Sequence, residues 1–230
     1  MQETDEPLAI PLWINGHAYL TMTETFFDVR NPKTGVVLRR TPLCGAEQAL
    51  AAVAAARDAQ LAWAASESAE RAALLATVGE ALESYAEHFA GLISEETGRE
   101  ADSAMAEVCD SVALLRCAVP GEVSGVLAIV SDESAPLLGP LSLAVPALLA
   151  GATLVLKPSA KAPASVFALA ELTARSGFPA GVFNILQGDE AAVDGLCAAR
   201  GVSALLFTGD PVLRSKIDAL AARHGKRIAT

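Results

Sequence analysis

Aromatic residues make up only 5% of the 230-residue chain, and positive charge is in deficit: 17 Lys and Arg stand against 27 Asp and Glu, a formal net charge of -10. A chain this acidic offers no broad electrostatic footprint, so neither nucleic acid nor a membrane is expected as a partner. Cysteine is scarce and scattered. Cys44, Cys109, Cys117 and Cys197 form no C-x-x-C pair, which leaves a zinc cage or a secreted disulfide framework without support and makes a reducing cytoplasm the expected setting. His17, His88 and His224 lie far apart without metal spacing and read as surface or satisfied side chains. The acidic start MQETDEPLAIPLWING has neither the basic region nor the apolar run of a signal peptide, so export is not expected. Charge is also missing from Ala135 to Leu156, a stretch as long as the roughly twenty residues of a membrane span. Pro136, Gly139, Pro140, Pro146 and Gly151 interrupt it, and it ends in a β-branched LVL, so it reads as a buried helix followed by a buried strand.

What the chain has in quantity is apolar surface: 52% hydrophobic residues and a mean hydropathy of +0.38, enough for a sizeable core and too much for disorder. Residues 1–44 favour short strands, LWI, AYL and FFDVRNPKTGVVLRR, with a hairpin turn at Asn31-Pro32-Lys33-Thr34-Gly35. Residues 45–120 carry Ala-rich helical spacing over 46–63, 69–97 and 101–118, and Gly98 is a C-cap candidate. Over 121–230 apolar strands (GVLAIV, ATLVL, GVFNIL, SALLF, KRIAT) alternate with helices near 137–149, 164–176, 191–200 and 212–224. That alternation predicts an α/β fold: a Rossmann-like, doubly wound parallel sheet preceded by a β-rich lead-in and Ala-rich helices. Any ligand would sit outside the carboxyl ends of the strands.

Several strings, in order, resemble the coenzyme-binding half of NAD(P)-dependent aldehyde dehydrogenases. They are LWING, FDVRNPKTGVVL, SAERAALL, ISEETGR, PALLAGATLVLKPS, GFPAGVFNILQG and LLFTG, and together they span Leu12 to the last residue. The resemblance implies a single unit over 1–230 of the coenzyme-binding type. It also implies chemistry in which a cysteine thiolate adds to an aldehyde, hydride passes to the nicotinamide, and a glutamate activates water for release. In the family that glutamate lies in an LELGG stretch after the strand matching KRIAT, and the cysteine follows later. Both are expected beyond Thr230, so the catalytic domain is expected to be absent from this chain and no catalytic residue is assigned within it.

The resemblance places the cofactor-binding positions at Ser131, Lys157, Ser159, Gly188, Thr208, Gly209 and Asp210, and several depart from the family pattern. Where the family has T-P-W-N-F-P, this chain reads Ser131-Asp132-Glu133-Ser134-Ala135-Pro136, so Ser134 replaces the oxyanion-binding asparagine and Asp132 and Glu133 add negative charge beside it. In K-P-S-E, Lys157, Pro158 and Ser159 remain but Ala160 replaces the ribose-binding glutamate, which leaves NADP over NAD open; alternatively, Lys157 merely ends a strand as a solvated charge. After F-T-G the family's serine is replaced by Asp210, followed by Pro211, a near-ideal N-cap and N1 pair whose carboxylate would take the helix donors meant for the cofactor pyrophosphate. Arg214 stands at the family's next glycine, where it would either neutralise Asp210 or grip a phosphate. Between the third helix and GVLAIV only Val119 to Ser124 remain where the family has a subunit-joining β-hairpin arm, so its usual oligomer is not assumed.

Of the remaining candidates, Cys109 and Cys117 read as buried structural thiols on one helix, and Cys44 precedes a helix whose dipole would lower its pKa. Glu95, Glu96, Glu100 and Asp102 read as a solvated helix end. Three functional expectations follow: a catalytically incompetent family member with a partner-binding or structural role, covered by self-association or a partner protein; the N-terminal part of a split or truncated dehydrogenase; and a non-catalytic NAD(P)H sensor. Weak or absent binding of NAD or NADP accompanies the first.

Overall fold

The structure, a computed structural model, describes residues 7–19, 21, 23 and 25–229. The first six residues of the acidic start, Leu20 of AYL and Thr230 of KRIAT lie outside them. The lead-in forms β1 (Leu12–Ile14), β2 (His17–Tyr19), β3 (Phe26–Arg30) and β4 (Val37–Pro42). β3 and β4 make a separate antiparallel ribbon closed by the expected turn, in which Asn31 Oδ1 accepts from the N–H groups of Lys33 and Thr34 at 2.9 and 3.1 Å.

The helical stretch folds as α1 (Ala46–Ala65), α2 (Ser68–Ser84), α3 (Ala86–Thr97) and α4 (Ala101–Cys117). The sequence spacing had predicted one helix over 69–97. It breaks at Tyr85 (φ -110°, ψ 19°), which allows both halves to pack against α4. Gly98 ends α3 in the left-handed conformation, φ 72°, as its position in the sequence suggested. Among the described residues no strand lies between α4 and the next element.

From there strands and helices alternate as β5 (Val126–Ser131), α5 (Leu138–Leu149), β6 (Thr153–Lys157), α6 (Ala164–Arg175), β7 (Phe183–Ile185), α7 (Glu190–Ala198), β8 (Ala204–Thr208), α8 (Pro211–Arg223) and β9 (Ile228–Ala229). The sheet order is β2-β1-β7-β6-β5-β8-β9. β5 to β9 are parallel, and β1, antiparallel to β7, attaches the lead-in to the sheet edge, a pairing that strand-length patterns alone did not disclose.

Strand alternation divides the core. Leu127, Ile129, Leu154 and Leu156 face a cluster that includes α5 and α6, whereas Val126, Ala128, Val130 and Val155 face one built from α1, α7 and α8. The sheet is therefore doubly wound. The crossover direction reverses between β6 and β8 on either side of β5, so the carboxyl ends of β5 and β8 form the crevice where such folds bind ligands. No described helix is long and apolar enough to cross a membrane.

Candidate functional site

Ser131 ends β5 and pairs with Thr208, the end of β8, so the two chains leave the sheet side by side. Asp132 follows β5, is buried, and turns its carboxylate across the gap. Oδ2 accepts the N–H of Asp210 at 2.6 Å, and Oδ1 accepts both the N–H of Ser134 at 2.9 Å and its hydroxyl at 2.5 Å. Gly209, at φ 140°, is needed because a Cβ there would collide with the Asp132 carboxyl. The negative charge read from the sequence as an obstacle to an anionic ligand is thus also a structural pin between two strands. The Ser134 proton, the one donor left where the oxyanion asparagine would stand, is committed to Asp132.

Helix α8 starts as its sequence predicts, with Asp210 as N-cap and Pro211 at N1. Asp210 Oδ1 accepts from Val212 N at 2.6 Å and from Leu213 N at 3.4 Å, and Arg214 N reaches Asp210 O at 3.0 Å. Pro211 has no N–H. Counting Asp210 N, held by Asp132, every donor of the first turn is either absent or satisfied by the chain. Arg214 pairs with Asp218 at 3.7 Å, so the salvage of Asp210 considered from the sequence is not its arrangement.

The other helices that leave the strands' carboxyl ends are treated alike. Glu107 Oε1 accepts from Leu137 N and Leu138 N at 2.8 and 2.9 Å at the head of α5, Glu96 Oε2 from Ala164 N at 3.0 Å at α6, and Asp189 from Ala191 N at 3.1 Å at α7. Each helix N-terminus, a partial positive charge suited to anions, therefore carries a carboxylate of this chain. Arg99 sits 2.6 Å from Glu107 Oε2 and donates to the backbone oxygen of Ser134 at 3.1 Å, which ties this support to the loop after β5.

Beside the crevice lies a cavity of about 300 Å³ walled by Val130, Val193, Leu213, Ile217 and Leu220, with Lys157 and Ser159 on its rim. Lys157 is 7% exposed, and its amine has no hydrogen-bond or ion-pair partner among the described residues. Burial lowers its pKa to about 8, against the pull of Asp189 and Glu133 towards the charged form. The alternative of a solvated strand-end charge is corrected: the residue is buried and borders the cavity rather than bulk solvent. Ser159 Oγ donates to Glu133 Oε2 at 2.9 Å, and Lys161 Nζ meets Glu133 Oε1 at 2.5 Å. Burial raises the Glu133 carboxyl, but Lys161 and Ser159 outweigh it and hold it below the usual range. Ala160, in the ribose-glutamate position, receives the Thr41 hydroxyl on its carbonyl at 2.9 Å.

The structure thus gathers Ser131, Asp132, Ser134, Thr208, Gly209 and Asp210 around the crevice and Lys157, Ser159 and Gly188 around the adjoining cavity. Gly188, at φ 137°, is also required by packing, since a Cβ would press on the backbone of Cys44. Ser131 Oγ is buried without a hydrogen-bond partner. Several sequence expectations are corrected. Cys109 and Cys117 are exposed, because their side of α4 faces away from the other helices. Cys44 is buried and its thiol is pushed up to about 12 by that burial, opposite to the helix-dipole expectation. Glu96 is buried rather than solvated, paired with Arg39 at 2.7 Å, and burial lifts its carboxyl to about 7. The capping roles of Glu96 and Glu107 left no local trace, since their partners lie 68 and 30 residues away.

Tested against a dinucleotide, the cavity fits an apolar ring with hydroxyls near Lys157. At the crevice, the first-turn donors of α8 are taken by this chain and two aspartates face the position, while Ser131 Oγ is unpaired. The model of the aldehyde dehydrogenase family matches residues 19–121 and 121–230, two stretches that meet at Gly121 in the short link between α4 and β5. The chain is 34% identical to a malonate-semialdehyde dehydrogenase of Pseudomonas aeruginosa, over 87% of this chain and 45% of that protein. It is 30% identical to the succinate-semialdehyde dehydrogenase [NADP(+)] of Escherichia coli, over 94% and 50%. Among solved structures, a methylmalonate-semialdehyde dehydrogenase from Sinorhizobium meliloti complexed with NAD superposes with a TM-score of 0.90 at 25% identity, covering 98% of this chain and 50% of that one. Lactaldehyde dehydrogenase from Escherichia coli gives 0.88 at 28% identity, covering 97% and 52%. The chain spans about half the length of the relatives it matches.

Proposed function

Given that the chain belongs to the aldehyde dehydrogenase family of NAD(P)-dependent oxidoreductases, we propose that it is a coenzyme-domain member that does not itself oxidise an aldehyde and serves a partner-binding or structural role. One observation carries this reading: the chain's own carboxylates, Asp132 and Asp210, occupy the first-turn donors of α8 and the Ser134 hydroxyl, the groups a phosphate and an oxyanion would need. A helix N-terminus binds anions through free N–H groups, and here those groups are spent on a negative charge.

Supporting the partner role, Leu50 and Leu61 lie on one side of α1, 56% and 80% exposed, a placement that water disfavours and a protein surface would cover. The purified chain is expected to give no calorimetric signal with NAD(H) or NADP(H) up to about millimolar, where binding is only about 4 kcal/mol, and to sediment as an oligomer. Micromolar affinity for either dinucleotide overturns the reading, as does a monomer with no partner on affinity capture.

A second reading has one observation of its own, the coverage of about half of each relative. On that reading the chain is the N-terminal part of an NAD(P)-dependent dehydrogenase completed by a separate polypeptide. It predicts a cysteine-bearing and LELGG-bearing partner that restores aldehyde oxidation on mixing; the absence of activity in the mixture removes it.

A further inference from the structure

The five lysines of the chain differ sharply in surroundings. Lys33 is paired with Glu100 and Lys161 with Glu133, Lys226 donates to the carbonyls of Ala199 and Val202, and Lys216 is exposed. Among them Lys157 alone is buried without an acceptor, and it borders a cavity whose walls are mostly aliphatic. Its amine opens onto that cavity without a protein acceptor, placed to meet a group carried by a ligand there.

We propose that Lys157 is a carbonyl-capturing amine: its Nζ condenses reversibly with an aldehyde or ketone whose apolar body fills the cavity between α7 and α8. The nitrogen lone pair forms the C–N bond to the carbonyl carbon while the C=O π pair moves to oxygen. A proton then passes from nitrogen to oxygen. Loss of one water leaves the C=N bond of an imine, with no change of oxidation level and no co-reactant. Condensation removes the positive charge beside the aliphatic walls, and the apolar body displaces water from Val193, Leu213, Ile217 and Leu220.

The amine is prepared for this step. With a pKa of about 8, about a tenth of it is neutral at pH 7, roughly 200-fold more than for a lysine of ordinary pKa. Around the cavity, Glu133 from the loop after β5 and Asp189 and Glu190 from the head of α7 favour the ammonium. Lys161 after β6 and Lys216 on α8 oppose it, and enclosure by the aliphatic walls outweighs them all. The site is separate from the Asp132–Asp210 crevice. A chain that bound NAD(P) tightly yet captured carbonyls at Lys157 would overturn the function proposed above and leave this inference standing.

Benzaldehyde with cyanoborohydride as trapping reductant, followed by peptide mass analysis of the whole chain, tests it. Lys157 is expected to be labelled at least about tenfold faster than any other lysine, with a rate that saturates in benzaldehyde and an advantage over Lys216 that narrows as pH rises from 8 to 10. Lys157→Arg should remove the fast adduct and leave the slow ones. Leu213→Trp, which narrows the cavity from a half-buried wall position, should slow Lys157 at least about fivefold without changing Lys216. Labelling of Lys157 no faster than Lys216 in the unaltered chain overturns the proposal, as does a Lys157 rate that Leu213→Trp leaves unchanged in a folded protein.

Discussion

Replacing Asp210 by serine removes a charge from the head of α8 while keeping a capping oxygen, and it is the change expected to open the crevice to phosphate. Asp210 Oδ1 is 2.6 Å from Val212 N and 3.4 Å from Leu213 N, so a phosphate oxygen approaching those donors would come within about 4 Å of the carboxylate. At an effective dielectric of about 20, two unit charges at that distance repel by on the order of 4 kcal/mol. Asp210 is exposed, and salt screens it over a Debye length of about 8 Å, so the recoverable part is about 1–3 kcal/mol, or roughly 5- to 150-fold in affinity. The cap itself changes little, since serine and aspartate are comparable N-caps. Calorimetric titration of Asp210→Ser with NAD+ and with inorganic pyrophosphate at low and physiological salt should show the gain, larger at low salt, with the melting temperature almost unmoved. Affinity within about twofold of the unaltered chain at low salt would refute the view that Asp210 closes this site.

Glu107→Ala should cost about 3–5 kcal/mol in urea unfolding, since it strands Arg99 and the N–H groups of Leu137 and Leu138, whereas Glu107→Gln, which keeps the acceptor, should cost about half as much. Lys157→Met should stabilise the chain at pH 7 by up to about 3 kcal/mol, given the amine's fall to about 8. An amine whose pKa drops on folding leaves fewer protons on the native than on the unfolded chain. The native protein's stability should therefore rise between about pH 8 and 10 and the advantage of methionine shrink over that window, as denaturant titrations at stepped pH would show. Gly209→Ala should lower stability by about 1–3 kcal/mol, through the strained φ and the collision with Asp132, measured by thermal melting.

The parts of this fold that depend on neighbours in sequence could be read before any coordinates. The alternation after Gly125, the Gly98 cap and the Asp210-Pro211 helix start each have their cause within a few residues, and the aldehyde dehydrogenase resemblance ordered them. What depends on distant partners could not be read. Asp132 shows only as an acid after an apolar strand, and its role requires β8 to run beside β5 so that Asp210, 78 residues on, offers its N–H. Glu96 resembles its exposed neighbours Glu95 and Glu100 until Arg39 and Ala164 are placed against it. The exposure of Cys109 and Cys117 is hidden for a related reason: an Ala-rich helix has little amphipathic contrast, so its sequence does not say which side is covered. No glycine or proline marks the break at Tyr85.

The attachment of β1 to β7 has a consequence for how the protein is made. Trp13 sits opposite Ile185, and Asn15 N–H bonds the Asn184 side chain 169 residues away. At about 5–20 residues per second, a ribosome needs roughly 10–35 s to supply that partner. Until then the Leu-Trp-Ile strand keeps an apolar side and an unpaired edge available to any neighbouring strand, including that of another nascent copy. Between the emergence of β1 and that of β7, this strand is a point at which misassembly can begin during synthesis.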